Sequence, residues 1–310
     1  MNRHSIIFVA GSGTLLGSAI VRRLDAQRFE GLVGRGPGEP DLRSLPAVDE
    51  FFARHGPSTS SSAGAQAGIG GNQRHPADLM IDNLRVATSV IPAASRHGTA
   101  KLVFLGSSCI YPKFASQPFE PGSLWTGPVE PTSAAYAVAK LAGMTLAAAY
   151  RQQHGSRFVT AIAADAYGPG DDFTEADSHV VAAVIRRIHH ARATNAASVE
   201  IWGTGAPRRE FIYVEDLADA CLFVLAEYDG PEPINLGTGM TTSIAELTQH
   251  VREIAGYSGE LRFDASRPDG TPFKGLDSSR LRALGWRPTS TLREGLERTY
   301  AWYAEGHRER

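Results

Sequence analysis

The feature that most constrains the fold is an apolar run near the N-terminus that ends in a glycine-rich turn. Residues 6–10 read IIFVA, which has the length and the β-branched content of a buried parallel strand. Residues 11–17 form the glycine-rich turn, and residues 18–27 show the apolar spacing of a helix. A strand, a glycine turn and a helix in this order predict the first unit of a doubly wound parallel sheet.

The rest of the chain alternates short apolar segments with longer helical ones. The predicted strands are residues 32–33, 101–105, 159–163, 199–202 and 234–236. The predicted helices are residues 47–54, 77–97, 134–153, 180–192, 214–228 and 244–255, and a C-terminal helical part begins at 278–285. This alternation predicts an α/β fold, a Rossmann-type doubly wound parallel sheet with a smaller C-terminal α/β domain.

Residues 58–71 interrupt this regular pattern. They read STSSSAGAQAGIGG and contain almost no large apolar side chain. The composition fits a low-complexity linker or a degenerate strand, and periodicity does not choose between the two.

The length of 310 residues predicts roughly two domains at about 150 residues each. We expect a dinucleotide-binding domain over residues 1–165, with a returning segment near 210–240. Most of residues 166–310 would then form a second, substrate-binding domain.

The composition excludes several classes of protein. Lys and Arg total 31 against 33 Asp and Glu, so no cationic excess is available to neutralise a nucleic-acid backbone. Two cysteines do not make a disulfide scaffold and fit a reducing compartment. No apolar run approaches the ~18 residues of a membrane span. We therefore expect a cytoplasmic protein with no nucleic-acid or membrane partner.

The glycine-rich turn carries the first binding prediction. Its spacing, G-x-G-x-x-x-G, departs from both usual dinucleotide fingerprints. Glycines allow a tight turn and a close approach to a pyrophosphate at a helix N-terminus. The predicted cofactor-binding residues of the turn are Gly11, Ser12, Gly13, Thr14, Leu15, Leu16 and Gly17. The alternative is a plain strand-turn-helix loop without a ligand.

The end of the second strand should approach the adenosine ribose of such a cofactor. No acidic residue follows this strand before Glu39, whereas Arg35 could pair with a 2′-phosphate. This arrangement favours NADP(H), with NAD(H) also possible. The alternative is that Arg35 is a solvated surface charge.

The helix predicted over 134–153 carries a candidate proton donor. Tyr136 and Lys140 are four residues apart and share one helix face. We expect the ammonium group to lower the pKa of the Tyr136 phenol. Ser107 follows the strand at 101–105, where its hydroxyl could bind the oxygen that Tyr136 protonates.

Together these residues resemble the extended short-chain dehydrogenase/reductase family. Ser107, Tyr136 and Lys140 are similar to its catalytic triad, and the glycine turn to its cofactor site. The resemblance covers nearly the whole chain and is most specific to the branch that epimerises and reduces GDP-linked 4-keto-6-deoxymannose. The matching motifs are PAD at 76–78, NL at 83–84, LGSSCIYPK at 105–113, YGP at 167–169, SHV at 178–180, WGTG at 202–205, REF at 209–211 and PDGTP at 268–272.

The resemblance implies a 3,5-epimerase and 4-reductase with hydride transfer from NADPH to C4. It implies Cys109 and His179 as the acid/base pair. A 4-keto group acidifies the protons at C3 and C5, and a thiolate and an imidazole can move such protons near neutral pH. Lys140 would also hold the nicotinamide ribose. The further cofactor contacts that the resemblance implies are Leu105, Gly106, Ala163, Asp165 and His179.

The implied substrate contacts are Arg187, Trp202, Arg209 and Asp269. Two arginines could clamp a diphosphate, the tryptophan could flank the nucleotide, and the carboxylate could accept hydrogen bonds from sugar or base. No metal is expected. The resemblance also implies a homodimer formed by helices, for which 77–97 and 134–153 are the candidates.

The chain departs from the family pattern around the cofactor. Thr14 stands in place of the middle glycine and Gly13 in place of an arginine that often precedes it. Ala163, Ala164 and Asp165 replace a P-T-N run, so a carboxylate takes the place of a neutral amide. Two alternatives therefore stay open: a nucleotide-sugar epimerase that holds NAD(P) tightly and makes no net reduction, and a dinucleotide-sensing protein without catalysis.

Overall fold

A six-stranded parallel sheet forms the centre of the protein. The computed structural model describes residues 3–57, 59–62, 68–175, 177–267 and 269–306. The strands are β1 (Ile7–Ala10), β2 (Leu32–Val33), β3 (Thr59–Ser62), β4 (Lys101–Ser107), β5 (Phe158–Ala163), β6 (Asp165–Tyr167), β7 (Ser198–Trp202), β8 (Arg208–Arg209), β9 (Phe211–Tyr213), β10 (Ile234–Leu236), β11 (Thr242–Ser243), β12 (Glu260–Asp264) and β13 (Phe273–Lys274). The central sheet has the order β10-β5-β4-β3-β1-β2, with every neighbouring pair parallel.

Helices surround this sheet and form the rest of the framework. The helices are α1 (Leu15–Ala26), α2 (Leu45–His55), α3 (Ile69–Arg74), α4 (Pro76–Arg96), α5 (Ala134–His154), α6 (Val180–Ala193), α7 (Val214–Glu227), α8 (Ile244–Ala255), α9 (Ser279–Ala283) and α10 (Leu292–Gly306). Helix α4 packs between α2 and α5, and α1 packs against α7. Because helices cover the sheet, β1 is buried along its length and is apolar throughout.

One close contact places α5 on the sheet. A Cβ at Gly143 would lie 2.3 Å from the ring of Phe104 in β4, so only a glycine lets the helix come this near. The left-handed Gly155 then ends α5. This packing holds the first turns of α5 beside the carboxyl end of β4, where the predicted site lies.

The buried apolar residues form two clusters, a first around the central sheet and a second outside it. The second cluster joins α6, α8 and α10 with two small sheets, which pair β6 with β9 and β7 with β12. A third small sheet pairs β8 with both β11 and β13. The first cluster takes in α7 and β10, the segment that we expected to return near 210–240. It also takes in residues up to Trp286. The division into two domains stays a prediction.

The doubly wound α/β fold predicted from the sequence is confirmed. The main helices and strands have bounds within a few residues of the predicted ones. In the Ser/Ala-rich segment, Thr59–Ser62 forms β3 between β1 and β4, so the strand interpretation holds there. Residues 58 and 63–67 of that segment, and Pro268 of the PDGTP motif, lie outside the described residues.

Six strands were not predicted, namely β6, β8, β9, β11, β12 and β13. Most are only two or three residues long and have no apolar periodicity, so their pairing depends on distant partners rather than on local sequence. Among the helices that the structure describes, none is long and apolar enough to span a bilayer.

Candidate active site

A cavity of about 590 Å³ opens at the carboxyl ends of the central strands and reaches the second cluster. Its lining begins at Thr14 and Leu16, in the turn after β1, and extends to Arg187 and Trp202. The predicted site residues on its wall are Thr14, Leu16, Leu105, Gly106, Ser107, Cys109, Tyr136, Lys140, Ala163, Asp165, His179, Arg187, Trp202, Arg209 and Asp269. Those that do not line it are Gly11, Ser12, Gly13, Leu15, Gly17 and Arg35.

The glycine turn depends on its first and last glycines. A Cβ at Gly17 would lie 1.9 Å from the carbonyl oxygen of Gly11, so α1 can approach the loop only with glycine there. Thr14, at the middle position, caps α1: its Oγ1 accepts a hydrogen bond from Gly17 N at 3.1 Å and donates one to Gly11 O at 2.8 Å. A threonine therefore serves in this position as the helix cap.

A carboxylate accepts hydrogen bonds from the backbone amides of this turn. Oε1 of Glu39 accepts from the backbone N–H of Gly11 at 2.5 Å and of Ser12 at 3.2 Å. The Ser12 hydroxyl donates to Oε2 at 3.0 Å. The turn is thus arranged to bind an anion, which fits the phosphate group of a dinucleotide. This contact was not predicted from the sequence, although Glu39 is the first acidic residue after β2.

Arg35 lies on the outside of the molecule. Its Nη1 is 3.0 Å from both carboxylate oxygens of Asp25, and both side chains are about half-exposed. The role of Arg35 at a 2′-phosphate stays a prediction, and it would require this ion pair to open.

Helix α5 places Tyr136 and Lys140 in the cavity wall, where they are 6% and 5% exposed. Lys140 Nζ donates to the carbonyl oxygen of Leu105 at 3.1 Å, and burial lowers the pKa of Lys140 to about 8. Nζ lies 5.8 Å from the centroid of the Tyr136 ring.

The expected lowering of the Tyr136 pKa is wrong. Burial raises the pKa of the phenol, the neighbouring Cys109 adds to this effect, and a hydrogen bond with Ser107 opposes it. The phenol therefore stays protonated at neutral pH, and Tyr136 is equipped to donate a proton rather than to accept one.

A lysine that sequence analysis did not select lies beside Cys109. Lys274, in β13, has Nζ 3.8 Å from Cys109 Sγ and 2.6 Å from Asp165 Oδ1. Burial would lower the pKa of Lys274, but Asp165 and Cys109 outweigh burial and raise it. Burial would likewise raise the pKa of Asp165, but Lys274 keeps it below its usual value. The residue follows the PDGTP motif, which was the available signal.

His179 precedes α6 and also lines the cavity. Its Nδ1 lies 3.9 Å from Asp171 Oδ1. Burial would lower the pKa of the imidazole, but the carboxylates of Asp171 and Asp165 outweigh burial and raise it. His179 therefore holds its proton to a higher pH than a free imidazole does.

Trp202 lies at the second-cluster end of the cavity and is about half-exposed. The guanidinium groups of Arg187 and Arg267 each lie 4.8 Å from its ring centroid, within the range of cation–π attraction. Arg267 was not selected from the sequence. The three side chains form a cationic, aromatic wall suited to a nucleotide diphosphate.

Arg209 and Asp269 join this wall to the middle of the cavity. Arg209 Nη2 donates to the Asp269 carbonyl oxygen at 3.1 Å. The Asp269 carboxylate accepts from the backbone N–H and the hydroxyl of Thr204, each at 2.8 Å. In this arrangement the carboxylate holds the 203–205 turn, and its predicted contact with sugar or base stays a prediction.

Comparison with known proteins agrees with this geometry. Residues 7–237 match the model of the NAD dependent epimerase/dehydratase family. The chain belongs to this family.

The chain is also similar to three individual proteins. GDP-L-fucose synthase 1 of Arabidopsis thaliana is 48% identical over 303 residues, covering 97% of this chain and 94% of that protein. The structure of a GDP-6-OMe-4-keto-L-xylo-heptose reductase from Campylobacter jejuni superposes with a TM-score of 0.93, at 32% identity and 99% coverage of both chains. A GDP-mannoheptose C4 reductase from the same organism, with NADP bound, has a TM-score of 0.88 at 33% identity, covering 98% of this chain and 99% of that one.

The epimerase/dehydratase site has no metal-binding cluster within the part of the chain that the structure describes. Four residues near predicted site residues were not themselves predicted: Glu39, Asp171, Arg267 and Lys274. No sequence pattern indicates which residue each of them approaches, because the two residues come together only in the folded chain.

Proposed function

We propose that this chain is an NADPH-dependent 3,5-epimerase and 4-reductase of GDP-4-keto-6-deoxymannose, the activity of a GDP-L-fucose synthase. One observation carries the proposal: a single cavity is lined both by the acid/base candidates Cys109 and His179 and by the proton donor Tyr136. The 48% identity to the Arabidopsis enzyme over nearly the whole chain supports this substrate.

The residues present fit the cofactor. The amides of Gly11 and Ser12, which already hold a carboxylate, would hold its pyrophosphate, and Lys140 would hold the nicotinamide ribose. When bound, NADPH supplies the hydride for C4.

Cys109 and His179 would carry the epimerisation. The 4-keto group acidifies the C–H bonds at C3 and C5, and inversion requires proton removal on one face and proton delivery on the other. His179, whose pKa is raised, is the group that holds a proton to deliver. Cys109, beside the ammonium of Lys274, is the group placed to take one.

Tyr136 would complete the reduction. Its pKa is raised, so the neutral phenol can give its proton to the oxygen at C4 as the alkoxide forms. Ser107, which hydrogen-bonds with Tyr136, orients the same oxygen. Lys140, held by the Leu105 carbonyl, fixes the position of α5 against β4 at this point.

The nucleotide diphosphate would lie along the cationic wall. Arg187 and Arg267 flank Trp202, and Arg209 is buried and fixed by backbone carbonyls. Guanidinium groups suit phosphate oxygens because they donate paired hydrogen bonds in one plane.

We further propose a cytoplasmic homodimer paired through α4 and α5. These two helices pack along each other and each leaves an apolar side chain exposed, Ile81 and Val138. The free thiols of Cys109 and Cys221 fit a reducing compartment.

The proposed function is tested by incubating the purified protein with GDP-4-keto-6-deoxymannose and NADPH. We expect loss of the reduced-nicotinamide absorbance and formation of a GDP-6-deoxyhexose inverted at C3 and C5. The UDP-linked and dTDP-linked 4-keto sugars serve as matched controls. Proton exchange without NADPH oxidation would favour the epimerase alternative, and inactivity on every 4-keto sugar nucleotide would contradict the proposal.

A further inference from the structure

Lys274 enters the cavity from a position that the fold fixes. Strand β13 pairs in parallel with β8, in a register that sets Lys274 opposite Arg209. The backbone N–H of Glu210 donates to the Lys274 carbonyl oxygen at 3.0 Å. Two cations therefore reach the same cavity from neighbouring strands.

Glu210 holds the segment that carries Lys274. Glu210 is 2% exposed, and its carboxylate accepts from Leu276 N at 2.6 Å and from Gly239 N at 2.7 Å. A buried carboxylate bound by backbone amides on both sides fixes these loops together. The ammonium group of Lys274 is thus positioned before any substrate binds.

The ammonium group divides its contacts between two acidic groups. Nζ lies 2.6 Å from Asp165 Oδ1 and 3.8 Å from Cys109 Sγ, and the side chain is 11% exposed. Among the charged groups of the described residues, Lys274 is the one within hydrogen-bonding distance of this sulfur. A cation at this distance from a thiol favours the thiolate.

We propose that Lys274 is a positioning residue that stabilises the thiolate of Cys109, and that the negative charge of Asp165 opposes it by offsetting the field of the ammonium group at the sulfur. The inference rests on the proposed function, in which Cys109 removes a proton from the sugar ring. Lys274 is then the residue that keeps Cys109 able to remove this proton.

The surrounding charges agree with this role. Asp165 faces the pair from β6, His179 from the start of α6 and Arg209 from β8. Tyr136 faces Cys109 from α5 and is neutral near pH 7. Arg209 adds positive charge, but its guanidinium donates to the carbonyls of Arg208 and Asp269 rather than to the sulfur.

The carboxylate of Asp165 provides a second substitution, whose expected effect on Cys109 is the opposite of that at Lys274. The sequence resemblance places a neutral amide at this position, so the chain has added a negative charge next to the ammonium group. Removing Lys274 and removing the charge of Asp165 should therefore change Cys109 in opposite directions.

The test is the rate of alkylation of Cys109 by iodoacetamide as a function of pH, followed by peptide mass spectrometry. Cys221 is an internal control, because burial raises the pKa of its thiol to about 12. In Lys274→Met we expect alkylation at pH 7 to slow about tenfold and the midpoint of the pH profile to move upward. Lys274→Arg should restore most of the rate, and Asp165→Asn should move the midpoint downward.

An unchanged pH profile in Lys274→Met overturns the proposal, as does an arginine variant that behaves like the methionine variant. If Lys274→Met fails to fold, an unchanged midpoint in Asp165→Asn overturns it instead. The alkylation assay needs no sugar, so it separates this inference from the proposed function. Failure of the wild type to incorporate deuterium at C3 and C5 of GDP-4-keto-6-deoxymannose would refute the proposed function and leave the alkylation result standing.

Discussion

At the scale of single residues, the cavity separates two kinds of proton transfer. Tyr136 is held neutral by burial, while two carboxylates raise the pKa of the His179 imidazole. In the proposed reaction both groups donate a proton, but to different atoms of the sugar, the C4 oxygen for Tyr136 and a ring carbon for His179. The two halves of the reaction should therefore be separable by mutation.

Replacing Tyr136 by phenylalanine should remove the reduction and spare the epimerisation. Loss of a positioned acid costs roughly 10²–10⁴-fold in rate. We expect NADPH oxidation to fall by at least about 100-fold, while deuterium from D₂O still exchanges into C3 and C5. Tyr150→Phe, in the same helix but outside the cavity, is the matched control. Equal loss of both activities would contradict separate roles.

The pH dependence of exchange should report His179. Its pKa is raised, so the imidazolium persists above the usual pH near 6.5 and is lost as the pH rises through the higher value. We expect deuterium incorporation to decline on the alkaline side of that value. In His179→Gln this alkaline decline should be absent from a rate that is already low. An unchanged alkaline limb in the variant would assign the titration to another group.

At the scale of elements, the turn between β1 and α1 shows how a departure from a motif can be tolerated. The sequence predicted its place correctly, because strand, glycine turn and helix are encoded locally. It did not reveal that Thr14 caps α1 or that Glu39 reaches the amides, since the carboxylate lies 28 residues from Gly11. The glycine pattern thus predicted an anion-binding turn, but not that the Glu39 carboxylate would bind there.

Glu39→Gln should strengthen the binding of NADPH. The carboxylate competes with a phosphate for the same amides, and a charged hydrogen bond is worth about 1.5–3 kcal/mol. Weakening it should lower the dissociation constant of NADPH by roughly three- to tenfold, measured by fluorescence titration. Glu30→Gln, at an exposed site, is the control. A weaker or equal affinity in Glu39→Gln would mean that the carboxylate supports the turn rather than competing.

Substitution by alanine should affect stability strongly at Gly17 and little at Gly13. A Cβ at Gly17 would meet the Gly11 carbonyl, whereas a Cβ at Gly13 would meet no atom within 4 Å. Gly17→Ala should therefore destabilise the fold by about 1–3 kcal/mol in a denaturant titration and abolish NADPH binding. Gly13→Ala should leave stability within about 0.5 kcal/mol. Similar effects at the two positions would contradict the packing described for this turn.

At the scale of the whole molecule, the central sheet was predictable and the small sheets were not. Strands such as β4 are continuous apolar runs, which local sequence encodes. Strand β13 has two residues and exists because it pairs with β8. Since Lys274 belongs to β13, its contact with Cys109, 165 residues earlier, could not be predicted from spacing. The same holds for Arg267 against Trp202.

The residues predicted on the basis of family resemblance were brought together over most of the site. Ser107, Cys109, Tyr136 and His179 line one cavity although they come from three separate segments. The wrong prediction concerned the pKa of Tyr136, because spacing along a helix gave the position of Lys140 but not the burial of the phenol. Burial is a property of the assembled molecule.

The most direct test of the central claim is one reaction in D₂O, with GDP-4-keto-6-deoxymannose and NADPH, read by mass spectrometry and by nicotinamide absorbance. If one cavity performs both epimerisation and reduction, as claimed, one NADPH is oxidised for each product molecule and one solvent deuterium enters at each of C3 and C5. A product reduced at C4 without solvent deuterium would mean a simple C4 reductase and would contradict the claim. Deuterium uptake without NADPH oxidation would contradict it equally.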